Sequence, residues 1–92
     1  MLRIFYTTKM KKDAKRMQRR GKDLSKLSSV LTALASGGTL PARHRDHALS
    51  GRRAGFRECH IEPDWLLVYR IEEDLLILTA TETGTHTDLF GL

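Results

Sequence analysis

The spacing of apolar residues changes once along this chain, and that change limits the fold more than any other feature. Between residues 10 and 34 apolar side chains recur every three or four positions, which is typical of amphipathic helices. From residue 56 onward, short runs rich in Leu, Val, Ile, Tyr and Thr alternate with turn residues, which is typical of strands. A chain of 92 residues has room for one core. We therefore expect a single domain over residues 1–92, in which helices and strands share that core.

The helical half begins after a short apolar strand at residues 2–6. Met10 and Met17, with an alanine between them, form the apolar side of a first helix whose other sides carry lysine and arginine. Gly21 ends this helix, and Asp23 can cap the next one. The second helix has a continuous apolar stripe made of Leu24, Leu27, Val30, Leu31 and Leu34. A connection of about three residues predicts an antiparallel helical hairpin.

Three strands are expected in the second half, over residues 56–61, 65–71 and 75–81. Glu62-Pro63-Asp64 predicts a turn or bulge, and Glu72-Glu73-Asp74 predicts a tight hairpin connection. Residues 83–90 form a glycine turn and a short helical turn. The resulting order is β-α-α-β-β-β, an α+β fold in which the helical hairpin covers one face of a small antiparallel sheet. The other face is then expected to be free for binding.

Charge is distributed unevenly along the chain. Residues 1–57 carry fifteen basic and three acidic side chains, a net +12, whereas residues 58–92 carry one basic and eight acidic side chains, a net −7. The basic part should attract phosphate or an acidic protein, although lysine-rich helices are also common as plain solvated surfaces. The candidate RNA contacts on the first helix are Lys11, Lys12, Lys15 and Arg16.

The single cysteine, Cys59, excludes a disulfide framework and a cysteine-based zinc finger. Because it neighbours His60 in a strand, the two side chains should point to opposite faces, and we expect Cys59 to be a small buried hydrophobe. No apolar run is long enough to span a bilayer, and the N-terminus lacks the pattern of a signal peptide. These features predict a cytoplasmic protein without membrane contact.

Histidines and arginines concentrate around the irregular segment 39–55, and two chemistries could use them. His44-x-x-His47 has the spacing of metal ligands, and His60, Asp64 and His86 could complete the shell. An arginine-rich loop, however, disfavours a divalent cation.

The other chemistry is RNA cleavage without a metal. RNA supplies its own 2′-hydroxyl nucleophile, so the protein needs a base, an acid and a cation for the phosphate. Histidine, with a reference pKa of about 6.5, suits both proton roles, and arginine binds two phosphate oxygens at once. Unpaired bases could stack on Phe56, Trp65, Tyr69 or Phe90, although core packing competes for each of these rings.

Three segments together carry a family resemblance. They are Asp46-His47-x-Leu49-x-Gly51, then Gly55-Phe56-Arg57-Glu58-x-His60-Ile61-Glu62-Pro63-Asp64-Trp65-Leu66-Leu67-Val68-Tyr69, then Thr83-Gly84-Thr85-His86-x-x-Leu89-Phe90. They resemble the YafQ family of bacterial toxins from toxin–antitoxin pairs, within the RelE/ParE superfamily. The resemblance covers nearly the whole chain. Family members vary around Gly51–Gly55, where this chain has Arg52-Arg53-Ala54.

The resemblance implies a toxin that cleaves messenger RNA on the ribosome, in the decoding site, without a metal or cofactor. It implies a cognate acidic antitoxin, which would also carry the complex to operator DNA. The positions that match the family's functional residues are His47, His60, Asp64, His86 and Phe90, and Arg57 matches a phosphate contact. His86 is expected to transfer a proton, and Asp64 to act as an orienting or base-like carboxylate. His44 lies outside the pattern and is expected to be a surface residue.

Two alternatives remain at this level. The superfamily also contains non-catalytic toxins that act on DNA gyrase, and a fold alone does not fix a function. A plain RNA- or ribosome-binding module would also suit the basic helix. The cluster of His47, His60, Asp64 and His86 favours the nuclease, because neither alternative needs it.

Overall fold

The computed structural model describes residues 1–91 and confirms the α+β class. The strands are β1 (Arg3–Tyr6), β2 (His47–Ala48), β3 (Arg57–Glu62), β4 (Trp65–Glu72) and β5 (Ile77–Gly84), and the helices are α1 (Thr8–Arg19), α2 (Leu24–Ala35) and α3 (His86–Phe90). Single 3₁₀ turns at Ala42–His44, Gly51–Arg53 and Glu73–Leu75 fill the connections. No helix within residues 1–91 is long and apolar enough to cross a bilayer.

The sheet has five strands in the order β1-β5-β4-β3-β2. Three of the four pairings are antiparallel, but β1 runs parallel to β5, with Arg3 opposite Ile77 and Tyr6 opposite Ala80. The sheet is therefore mixed: the expected antiparallel pairing is found in three strand pairs, and the β1–β5 pair differs from it. The reason is topological, because the chain crosses from β1 at one edge of the sheet to β2 at the other, and the last strand, β5, returns beside β1 in the same direction. β2, two residues long, arises inside the segment that was expected to be irregular.

Capping side chains lie where α1 and α2 begin, and Gly21 follows the end of α1. The Thr7 hydroxyl accepts from the amide of Met10 at 3.0 Å, and the Asp23 carboxylate accepts from the amide of Ser25 at 2.9 Å. Gly21, just beyond α1, has a φ of +89°, which a residue with a side chain rarely adopts.

The main core lies between the helical hairpin and one face of the sheet. It contains Met10 and Met17 of α1, the α2 stripe, and Trp65 and Tyr69 of β4. Cys59 is fully buried there, as expected. Because Trp65 and Tyr69 are core residues, they are not stacking surfaces for RNA.

A buried carboxylate joins α1 to the sheet. Asp13 is 3% exposed, pairs with Lys9 at 2.8 Å and Arg16 at 3.2 Å, and accepts from the backbone amide of Thr83 at 3.2 Å. A buried charge of this kind is stabilised only when it is fully paired. Arg16 therefore has a structural partner inside the protein.

The opposite face of the sheet is partly covered rather than free. α3 folds back over it, and Leu89 packs with Leu66 and Val68 in a second apolar cluster flanked by Leu49 and Phe56. A Cβ on Gly84 would lie 2.8 Å from Cβ of Asp88, so α3 packs this closely only because residue 84 has no side chain. The functional side chains lie at the margin of this second cluster.

Candidate active site

His86 and Asp64 form the most directed contact of the site. The Asp64 carboxylate oxygen Oδ1 lies 2.6 Å from Nδ1 of His86 and 2.9 Å from its backbone nitrogen. These two hydrogen bonds, the backbone one first, hold the pKa of Asp64 below its usual range. A carboxylate only accepts, so Nδ1 of His86 carries the proton and Nε2 faces away from Asp64. The His86 side chain is 40% exposed and the Asp64 side chain 66%, so a substrate can reach both.

His60 lies beside this pair. Its ring centroid is 5.5 Å from that of His86, with the ring planes inclined at 60°. Nδ1 of His60 lies 3.1 Å from the carbonyl oxygen of Pro63, so Nδ1 is the donor. The contact forms because the chain reverses at Pro63-Asp64, after a register shift between His60 and Glu62 in the β3–β4 pairing. The predicted turn therefore brings His60 and Asp64 together, and the start of α3 adds His86.

His47 joins the cluster from β2 through a residue that the sequence analysis missed. Oε1 of Glu58 lies 3.6 Å from Nε2 of His47 and 3.9 Å from Nε2 of His60, between the two rings. Nδ1 of His47 donates to the carbonyl of Arg45 at 2.6 Å, which orients Nε2 toward Glu58. Both contacts with Glu58 become ion pairs when the rings carry their second proton.

Glu58 is unusual because its carboxylate is buried. The residue is 5% exposed, and its Oε2 has no hydrogen-bond partner among residues 1–91. A buried carboxylate with an unsatisfied oxygen costs free energy, and a catalytic role is one of the reasons for which proteins keep such a group. The signal was present in the sequence, because side chains two positions apart in a strand share a face, which places Glu58 beside His60.

The same alternation separates Arg57 from the cluster. Arg57 is paired with Tyr69 in the ladder, and its Nε lies 3.4 Å from Asp46, which also accepts from the Tyr69 hydroxyl. Its side chain is therefore on the face opposite Glu58 and His60. A phosphate contact by Arg57 remains a prediction, but it would not be made beside the histidines.

His44 is not the free surface residue that was expected. It is half-buried, and its Nδ1 lies 2.6 Å from the backbone carbonyl of His60. The 3₁₀ turn that contains it packs on β3, and this contact fixes the backbone next to the site. Its role is structural support of the strand.

Phe90 ends α3 four residues after His86, and so lies on the same side of the helix. It remains 38% exposed. The α1 candidates differ among themselves, since Lys11, Lys12 and Lys15 are exposed whereas Arg16 is half-buried against Asp13.

Nothing in the described part of the chain groups three or more His, Cys, Asp or Glu side chains in a way that could hold a metal ion. Backbone carbonyls engage the Nδ1 atoms of His47, His60 and His44, which leaves their Nε2 atoms without a backbone partner in the described residues. The free Nε2 atoms of these imidazoles suit the arrangement to proton transfer.

Comparison with known protein families and sequences identifies related toxins. Residues 2–91 match the family described as "Bacterial toxin of type II toxin-antitoxin system, YafQ". The chain is 43% identical over 89 residues to the mRNA interferase toxin YafQ of Escherichia coli strain K12, covering 96% of this chain and 95% of that protein.

Solved structures agree along the whole chain. The crystal structure of the E. coli DinJ-YafQ complex matches with a TM-score of 0.89 and 39% identity, covering 99% of this chain and all of that one. A metal-bound toxin from Helicobacter pylori matches with a TM-score of 0.92 and 40% identity, covering 98% of this chain and all of that one. Family, sequence and fold thus coincide, and the chain belongs to the YafQ family of bacterial toxins from type II toxin–antitoxin systems.

Proposed function

We propose that this chain is a ribosome-dependent endoribonuclease that cleaves messenger RNA in the decoding site. The observation that carries the proposal is the solvent-accessible Asp64–His86 pair, with the ring centroid of a second imidazole, His60, 5.5 Å from that of His86. The name of the E. coli relative, an mRNA interferase, supports the same substrate class.

In the proposed reaction the 2′-hydroxyl of the RNA attacks the adjacent phosphorus, and the bond to the 5′-oxygen breaks. Nε2 of His86 transfers a proton, while Asp64 fixes the ring through Nδ1 and the backbone amide. His60, His47 and Glu58 form a second group of side chains that can donate or accept a proton, beside the Asp64–His86 pair. The products carry a 2′,3′-cyclic phosphate and a 5′-hydroxyl. No metal or cofactor is required, because the RNA supplies the nucleophile and the imidazoles supply the proton transfers.

Binding is assigned to other residues. Phe90 provides a ring for stacking, and Lys11, Lys12 and Lys15 provide exposed positive charge for the ribosome. Arg57 and Arg16 are candidates for further phosphate contacts. The DinJ-YafQ complex supports a cognate antitoxin as partner, and we propose that this antitoxin is acidic and links the complex to operator DNA.

The test is incubation of the purified protein with ribosomes that carry a defined mRNA, next to the same mRNA free in solution. The proposal predicts cleavage within the codon in the decoding site and slow or no cleavage of the free RNA. Ribosome binding without cleavage would support the plain binding module. Inhibition of DNA supercoiling by gyrase, with intact mRNA, would support the non-catalytic relative.

A further inference from the structure

The C-terminal end of α3 is held by an arginine from a distant turn. The guanidinium carbon of Arg53 lies 4.7 Å from the centroid of the Phe90 ring, over its face. Nη2 of Arg53 also donates to the carbonyl oxygen of Leu89 at 3.1 Å. A cation at the last carbonyls of a helix is favourable, and guanidinium groups stack well on aromatic faces. One side chain thus contacts both the backbone and the ring at the end of α3.

Arg53 is itself fixed by a carboxylate. Nη1 of Arg53 lies 2.9 Å from Oε2 of Glu82, and the other oxygen of Glu82 lies 3.4 Å from Nζ of Lys9. The side chains of Arg53 and Glu82 are 30% and 17% exposed, so the pair is partly shielded from water. Its charge is offset inside the protein by Glu82, and its Nη2 is engaged by the carbonyl of Leu89. This disfavours Arg53 as a free phosphate clamp and favours a role toward Phe90.

α3 needs such contacts because it is only five residues long. Helices this short do not persist without tertiary contacts. Its first turn is fixed by Asp64, which accepts from the His86 amide, and by Arg20, whose Nη1 lies 2.6 Å from Asp88. Arg53 is the corresponding contact at the other end, next to the ring proposed to meet RNA.

We propose that Arg53 is a positioning residue that fixes the Phe90 ring as a one-sided stacking platform for a nucleobase of the RNA substrate. The guanidinium occupies one face of the ring, and Phe90 still exposes 38% of its surface, so a base can approach the ring from its exposed side. This inference rests on the proposed function. The inference assigns a function to Arg53, which lies in the segment Arg52-Arg53-Ala54, whose role the sequence alone did not indicate.

The test measures the concentration of protein that half-saturates ribosome–mRNA complexes. This concentration is determined twice, from binding and from single-turnover cleavage, and the cleavage assay also gives the rate at saturation. Arg53→Gln should raise this concentration about two- to thirtyfold, the range of a cation–π contact, and leave the saturated cleavage rate within about twofold. Arg52→Gln, in the same turn but exposed, removes an equal charge and serves as the matched control. Arg53→Lys retains the charge but lacks the planar group, so it should behave like Arg53→Gln while it preserves the urea midpoint.

The decisive arm is a double-mutant cycle with Phe90→Leu. If Arg53 acts through the ring, Arg53→Gln in the Phe90→Leu background should have no effect beyond that of Arg52→Gln. Equal effects of Arg53→Gln and Arg52→Gln in the wild-type background, or an Arg53→Gln effect that persists without the ring, would overturn the inference. If the wild-type protein binds ribosome–mRNA complexes without cleaving the mRNA, the proposed function is contradicted but this inference is not. The binding measurement would still report the coupling between Arg53 and Phe90.

Discussion

At the scale of single residues, the orientation of His86 depends on the charge of Asp64. The two hydrogen bonds from His86 hold the pKa of Asp64 below its usual value of about 3.9, so Asp64 is ionised throughout the neutral range. Asp64→Asn removes a charge-assisted hydrogen bond to Nδ1 and should slow single-turnover cleavage about 10- to 100-fold. Asp74→Asn, at an exposed turn, is the control, and an equal reduction in both variants would contradict the role of Asp64.

Cys59 gives a second test at this scale. Burial raises the pKa of its thiol to about 12, so the reactive thiolate is scarce at neutral pH. We expect the folded protein to resist a thiol reagent such as Ellman's reagent at pH 8 and to react with one equivalent in urea. Rapid labelling of the folded protein would contradict a buried core position.

The alternation of side chains between the two faces of β3 also shows which parts of the site could be predicted from the sequence. The Pro63 turn indicated that His60 and Asp64 could lie together, whereas His47 and His86 were added to them by the resemblance alone. Glu58 could have been predicted, since it shares a face with His60, and Arg57 could have been excluded from that face. The Arg53–Phe90 contact could not, because 37 residues of chain separate the partners and no periodicity links them.

At the scale of elements, the position of α3 depends on Asp88. Its hydrogen bond with Arg20, and then the amide of Thr85, lowers the pKa of Asp88 well below its usual range. Its contribution to stability is therefore fully present above the unfolded-state pKa of about 3.9, and is lost as the pH falls below that value toward the folded-state pKa.

Asp88→Asn tests this dependence by urea unfolding. The variant should be less stable than the wild type at pH 7, and the difference should shrink steadily as the pH is lowered below about 4. Asp74→Asn should show no such trend. A difference that stays constant from pH 7 to pH 2.5 would mean that the Arg20–Asp88 ion pair does not stabilise the fold.

The elements themselves could largely be predicted from the sequence, but some of the contacts between them could not. The helical hairpin, the turn at Pro63 and the three later strands follow from periodicity and turn residues in the sequence. The parallel pairing of β1 with β5 does not, because the register of strands more than 70 residues apart depends on the completed core. For the same reason, the cover that α3 provides over the second face was not expected.

At the scale of the whole molecule, the basic N-terminal part should govern encounter with RNA. Lys11, Lys12 and Lys15 are exposed, so changing all three to glutamine should weaken ribosome binding and reduce its dependence on salt. Arg16 is left unchanged, because it supports the buried Asp13. The saturated cleavage rate should stay within about twofold of the wild-type rate, because these lysines do not belong to the histidine cluster. A lower saturated rate with unchanged binding would contradict this division of roles.

The measurement that tests the account most directly is single-turnover cleavage of mRNA on programmed ribosomes by His86→Ala, with analysis of the product ends. A general acid or base contributes about 10²–10⁴-fold, so the variant should lose that much in rate. Ribosome binding should survive, and the wild-type products should carry a 2′,3′-cyclic phosphate and a 5′-hydroxyl. A rate for His86→Ala close to that of the wild type, or a wild-type product with a 5′-phosphate, would contradict proton transfer by His86 in a 2′-hydroxyl attack.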